Sequence, residues 1–349
     1  MTLTAAVIGA GPDPDNPSGE GYAMGYRHAD AYEAVDGVEL LAVADIVPEN
    51  ARAFADEYGL GDDRVFEDYE SMLDAVEPDV VSVTVPPALH ADISLGCIRS
   101  GVVEAVHCEK PMSRTWAEAR AMAEEADSHD VQLTFNHQRR FGEPFRRAKE
   151  LLDDGEIGDL ERVEFSAPNV YDYGSHSFDL CSFYNDEAEA EWVLASVDYR
   201  EEDVLFGAHN ENHAVVQWRY ENGVTGLATT GVGAETVACH NRLVGSDGVI
   251  EVGPGGVAAS EPSGSAATAR AGSLSTATRS PRRRLHPACD RRRRRGRRNG
   301  RRLELCAQNA LVGTELIFGA WESARRRGRV DFPWRSTTTP SNRWSNRAT

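Results

Sequence analysis

Short apolar runs alternate with amphipathic stretches through the first 135 residues, and that rhythm leaves few folds open. Residues 3–8 form a continuous apolar run, as a strand buried on both faces of a parallel sheet requires. Residues 24–35 then read as helix, 38–44 as strand, and 48–58 as helix with Gly59 as its stop. The alternation continues with strands at 80–85, 102–108 and 131–135 and helices at 91–99 and 113–128. It predicts an α/β doubly wound parallel sheet over residues 1–135.

After Phe141 the pattern changes. Residues 143–153 read as helix, and 161–167, 192–198, 212–220, 225–230, 240–244 and 249–252 as strands. Asn222-Gly223 and Asp247-Gly248 are hairpin turn signals. A second α/β domain with a mostly antiparallel sheet is predicted over 136–333. Residues 309–327 close it as an amphipathic helix, with Leu311, Leu316, Ile317, Ala320 and Trp321 on one side. Residues 334–349 read as an irregular tail.

The net charge of −19 hides a split. Residues 1–258 carry 50 acidic and 16 basic residues; residues 259–349 carry 6 and 21. Lysine occurs twice, as Lys110 and Lys149. Such an acidic, lysine-poor block resembles cytoplasmic proteins of salt-accumulating halophiles. At molar salt the Debye length falls to about 3 Å, and surface repulsion is screened. The same surface repels phosphate backbones, which excludes a nucleic-acid partner for residues 1–258. Residues 259–308 are different: Ala, Ser, Thr, Pro and Arg dominate, and 291–295 is an unbroken arginine run. A basic tail and a reading-frame error in a GC-rich gene both account for the block. The second is favoured, because a one-base shift of GC-rich codons over 333–349 can restore an acidic sequence. No run of eighteen apolar residues exists, so no membrane span is expected. The start lacks a leader pattern. The six cysteines are scattered without a C-x-x-C pair and read as reduced thiols, which predicts a cytoplasmic location.

Four motifs carry chemistry. Gly9-x-Gly11 follows the opening strand, where glycines let backbone amides approach a pyrophosphate. The third glycine of the usual fingerprint is Gly25, after a Pro-, Asp- and Gly-rich insertion at 12–21; Asp45 lies twenty residues beyond it, the spacing of an acid that binds adenosine ribose hydroxyls. Ile46 follows Asp45 with no arginine beside it, which favours NAD over NADP. Pro86 and His90 follow a parallel strand on the side where cofactors bind; alone they read as a rigid turn and a surface histidine. Glu109-Lys110-Pro111 ends the next strand. An ammonium retained in a chain with two lysines is a candidate catalytic group. Asp172-x-Gly174-x-His176-x-x-Asp179 supplies a carboxylate and an imidazole able to take a hydroxyl proton near neutral pH. The competing reading is a core histidine bonded to Asp179. His209 and His213 have metal-like spacing without a third ligand, so no metal site is predicted.

In this order the motifs resemble the glucose–fructose oxidoreductase / inositol 2-dehydrogenase / rhizopine catabolism (Gfo/Idh/MocA) family. Gly25-x-x-His28-Ala29-x-Ala31-Tyr32, Arg140-Phe141 and Gly155-x-Ile157-Gly158 add to the likeness. The resemblance implies a Rossmann domain joined to a domain with a large open sheet that serves as a homodimer or homotetramer interface. It implies NAD held around Gly9, Gly11, Gly25, Asp45, Pro86, His90, Glu109 and Lys110. Lys110, Asp172 and His176 would be catalytic: His176 takes the hydroxyl proton, Asp172 orients the pair, and Lys110 favours the alkoxide. Arg140 and Tyr171 would join Asp172 and His176 at the substrate, with Asn169 and the 135–140 turn as pocket walls. The implied substrates are sugars, cyclitols and related polyols. An NAD-dependent glycosidase and a non-catalytic cofactor-binding regulator are the alternatives on the same scaffold.

Overall fold

The computed structural model describes residues 2–12, 23–205, 207–253, 256–260, 297–298 and 301–333. Most of the insertion after Gly11, most of the arginine-rich block and the tail from 334 lie outside the described residues. The chain divides into two compact units, with the first boundary between Asn136 and His137.

The first unit is a six-stranded sheet. Its strands are β1 (Leu3–Ile8), β2 (Val38–Ala44), β3 (Val65–Phe66), β4 (Val80–Val83), β5 (Ala105–Cys108) and β6 (Gln132–Phe135). Their order is β3-β2-β1-β4-β5-β6, parallel throughout. Ala5, Ala6, Val7, Val81 and Val106 are fully buried, as a sheet covered on both faces demands. The covering helices are α1 (Met24–Glu33), α2 (Pro48–Tyr58), α3 (Tyr69–Val76), α4 (His90–Arg99) and α5 (Trp116–Ser128). Strand order reverses between β1 and β4, so the crevice where ligands bind opens beyond the ends of those two strands. Residues 303–308 rejoin this unit, where the N–H of Phe135 donates to Leu305 O at 3.0 Å.

Helix α2 keeps its expected bounds, with Pro48 in its first turn and Gly59 left-handed at φ 67° as its stop. The pair β3 and α3 escaped the sequence reading. A two-residue strand has no period, and α3 spans two turns held by the Asp68 cap, which accepts the Ser71 N–H at 2.8 Å.

The second unit starts with α6 (Glu143–Asp153), β7 (Leu160–Ala167) and α7 (Asp172–Tyr184). Next come β8 (Ala190–Asp198), β9 (Asp203–Leu205), β10 (Ala208–Asn210), β11 (His213–Tyr220) and β12 (Thr225–Gly231). The described elements finish with β13 (Asn241–Gly245), β14 (Val249–Gly253), β15 (Gly256–Ser260), the short pair β16 (Arg297–Arg298) and β17 (Arg301–Arg302), α8 (Ala307–Arg326) and β18 (Val330–Asp331). Eight strands form one sheet in the order β15-β14-β13-β7-β12-β11-β8-β18. The sheet is mixed: β7 and β12 pair in parallel, and the other neighbours are antiparallel. Strand β11 alternates cleanly, with Ala214, Val216, Trp218 and Tyr220 buried and Val215, Gln217 and Arg219 exposed. Trp218 packs on Phe178 of α7 with ring centroids 5.1 Å apart. Its cross-strand partner is Gly226, where any Cβ would stand 1.9 Å from the indole. No described helix is long and apolar enough to cross a membrane.

Candidate active site

In the first unit the glycine motif turns immediately after β1. Gly9 has φ 91°, a left-handed value that disfavours any side chain, and a Cβ there would lie 2.8 Å from Val85. Gly25, in the first turn of α1, sits against the same turn; a Cβ would stand 2.8 Å from Ala10 O and 2.9 Å from Gly9 O. The bare backbone faces therefore let α1 pack directly on the Gly9–Gly11 turn. Asp45 ends β2 beside it. Its Oδ2 accepts the Gly11 N–H at 3.1 Å and its Oδ1 the Val47 N–H at 2.9 Å, leaving lone pairs for further donors. Ile46 beside it is 83% exposed. Strand end, glycine turn and acid thus converge at the switch point, which fits a dinucleotide.

The ends of β4 and β5 are tied together by His90. Its ring nitrogens lie 2.8 Å from Val85 O and 2.7 Å from Pro111 O. His90 is fully buried, and that burial drives its pKa down against the pull of the two carbonyls. A surface histidine does not describe it: its nitrogens fix the loop that carries Lys110. Pro86 is exposed at the same turn.

Glu109 also points inward. Its Oε1 is 3.0 Å from His28 Nε2 and accepts the Asn136 amide at 2.6 Å; its Oε2 accepts the Lys110 N–H at 3.2 Å. His28 Nδ1 lies 2.9 Å from Ser82 Oγ, which is 2.6 Å from the Tyr32 hydroxyl. Burial pushes the Glu109 carboxyl up, but donors on His28 and Asn136 and the charges of His28 and Lys110 outweigh it and bring it down to about 2. Glu109 is thus a buried clamp on the Lys110 backbone. Lys110 itself is half-buried.

In the second unit α7 begins at Asp172. Asp172 and His176 are buried one turn apart. Gly174 is required between them, because a Cβ there would meet Asn169 O at 2.7 Å. Asn169 in turn accepts the Tyr173 N–H at 2.9 Å through its Oδ1. The His137 ring stands edge-on to His176 with centroids 5.7 Å apart, a neighbour the motif reading missed. Its position just past β6 was the available signal.

Both oxygens of Asp179, the partner in the core-histidine reading, take Arg140 nitrogens at 2.6 Å. Arg140 is 1% exposed and also bonds Glu187, so it braces the interior of this unit. Tyr171, 1% exposed, packs against Trp321 at 5.5 Å and Phe318 at 6.5 Å. Arg139, overlooked beside Arg140, is half-buried, forms no ion pair among the described residues, and has Tyr173 and Asp172 as its electrostatic neighbours. No cluster of three or more metal-ligating side chains exists among the described residues.

A parallel sheet with a glycine turn and an acid at its switch point defines a nucleotide-binding α/β scaffold. Residues 18–137 match the Gfo/Idh/MocA family, described as an oxidoreductase family with an NAD-binding Rossmann fold. The myo-inositol 2-dehydrogenase of Thermotoga maritima is 26% identical over 219 residues, 58% of this chain and 64% of its own length. The D-glucoside 3-dehydrogenase of Escherichia coli is 33% identical over 158 residues, 45% of this chain and 41% of its own length. The chain thus spans less than two thirds of these curated relatives. The fold is that of an inositol dehydrogenase homologue from Azotobacter vinelandii, solved with NADH and myo-inositol: TM-score 0.67, 20% identity, 95% of this chain and 98% of that one.

Proposed function

We propose that the protein is an NAD-dependent dehydrogenase that oxidises a secondary hydroxyl of a sugar, cyclitol or related polyol. The carrying observation is the buried Asp172/His176 pair at the start of α7, in a chain whose other unit is an NAD-binding domain. The relatives named above, dehydrogenases of inositol and of a glucoside, support the substrate class. The dinucleotide, when bound, accepts the hydride. His176 takes the hydroxyl proton as general base, Asp172 holds the hydroxyl in place, and the Lys110 ammonium favours the developing alkoxide. His90 and Glu109 fix the loop that carries Lys110. Arg139, not Arg140, is the cation offered to substrate oxygens.

The test is NAD reduction with a panel of sugars and cyclitols in molar KCl. Turnover with at least one, abolished in Lys110→Ala while cofactor binding persists, is the expected result. Cofactor binding without turnover of any member would sink the reading. We further propose a homo-oligomer built on the outer sheet face. Exposed Leu194 and Val215 lie on adjacent strands there, flanked by the ion-pair row Arg162–Glu164–Arg242–Glu251. Light scattering on the purified protein decides it, and a monomer at micromolar concentration would refute it.

A further inference from the structure

One buried carboxylate takes no part in the chemistry above. Glu211 lies between β10 and β11 and is 4% exposed. Its Oε1 accepts both the Val170 N–H at 2.6 Å and the Thr230 hydroxyl at 2.7 Å. Its Oε2 meets no donor among the described residues. Val170 belongs to the turn between β7 and α7, two residues before Asp172. The same turn is held at Pro168, whose carbonyl accepts the Gly231 N–H at 3.1 Å. Beyond these bonds to β12 and Glu211, the turn leads directly into the helix that carries Asp172 and His176.

We propose that Glu211 is a positioning residue: by holding the Val170 amide it sets where Asp172 and His176 are delivered, and its protonation decides how firmly that turn is held. Its effect on turnover rests on the dehydrogenase reading; its effect on the turn does not.

The physical reason is the uneven solvation of the two oxygens. Ionised, Glu211 would carry charge on an oxygen with no donor, in a site where β12 presents the Thr230 hydroxyl, the turn presents the Val170 amide, and Asp203 of β9 adds negative potential. Burial pushes the carboxyl up to about 7, with the Thr230 and amide hydrogen bonds opposing. An acid that is harder to ionise in the closed turn than in water makes opening easier as pH rises. The turn is therefore tightest below about pH 4.5 and loosens as pH rises from there to about 7.

Amide hydrogen exchange over residues 168–175 of the full chain, corrected for intrinsic rates, reads this directly. Wild-type protection should fall between about pH 4.5 and 7 and level off above that. Glu211→Gln keeps an acceptor for Val170 and cannot ionise, so its protection should not change over that range. Thr230→Val removes a bond that lowers the pKa and should move the fall to higher pH. Glu211→Ala should lose protection at every pH and, with NADH binding unchanged, lose kcat by about tenfold or more, while Glu211→Gln stays within about threefold of wild type. Equal protection in wild type and Glu211→Ala, or a wild-type profile flat between about pH 4.5 and 7, would overturn the proposal. If no polyol is oxidised by the wild type, the dehydrogenase reading fails and the exchange profiles still decide the role of Glu211.

Discussion

Arg140 grips Asp179 with two parallel hydrogen bonds, from Nε and Nη2, each 2.6 Å long. The pair joins the 3-10 turn Gln138–Phe141 to the middle of α7, one turn beyond His176. Both side chains are nearly inaccessible, at 1% and 4%. The guanidinium also faces the Phe183 ring, 5.3 Å from its centroid. A planar fork in a dry site holds α7 in register with the turn that carries His137.

Arg140→Met should therefore act on stability. It leaves Asp179 and Glu187 buried without their cation, a loss of about 3–5 kcal/mol. Urea unfolding of the variant should show the midpoint shift. A raised KM with unchanged stability would return Arg140 to the substrate pocket.

Acid stability should depend on Glu109. Its folded pKa of about 2 lies below its ordinary value of 4.5, so its contribution is full above 4.5 and is lost as pH falls towards 2. The amount is on the order of 3 kcal/mol. Glu109→Gln should flatten this acid limb in denaturant titrations between about pH 2 and 5. An unchanged limb would mean that other carboxylates carry it.

Gly174→Ala separates intrinsic helix propensity from packing. Propensity alone favours alanine by about 1 kcal/mol. The Asn169 carbonyl, 2.7 Å from the new Cβ, opposes it and must move with the turn before α7. The expected outcome is a lower melting temperature with reduced turnover. A higher melting temperature would show that the turn yields freely.

Salt should stabilise the fold. Residues 1–258 hold 50 acidic residues against 16 basic ones. Raising KCl from about 0.1 M to 1 M shortens the Debye length from about 10 Å to 3 Å and screens that repulsion. The melting temperature should climb over this range, and a flat response would remove the salt-adapted reading of the composition.

The alternation of apolar runs and helices was enough to place five of the six strands of the parallel sheet, because a strand covered on both faces is apolar along most of its length. Only β3, two half-buried residues, left no trace. The motifs at Gly9, Asp45, Lys110 and Asp172 were legible because their spacing is set by local geometry, one strand end or one helical turn at a time. Side-chain assignments made from those motifs were less secure. Sequence proximity to a binding loop does not say which way a side chain turns, so the internal hydrogen bonds of His90, Glu109 and Arg140 were not legible. Glu211 had no sequence signal at all: its partners Val170 and Thr230 lie 41 and 19 residues away. The chain's local chemistry determined the strands, the helices and the candidate groups. Tertiary packing decided which polar groups are spent inside the protein, because a buried charge must find its donors wherever the fold brings them.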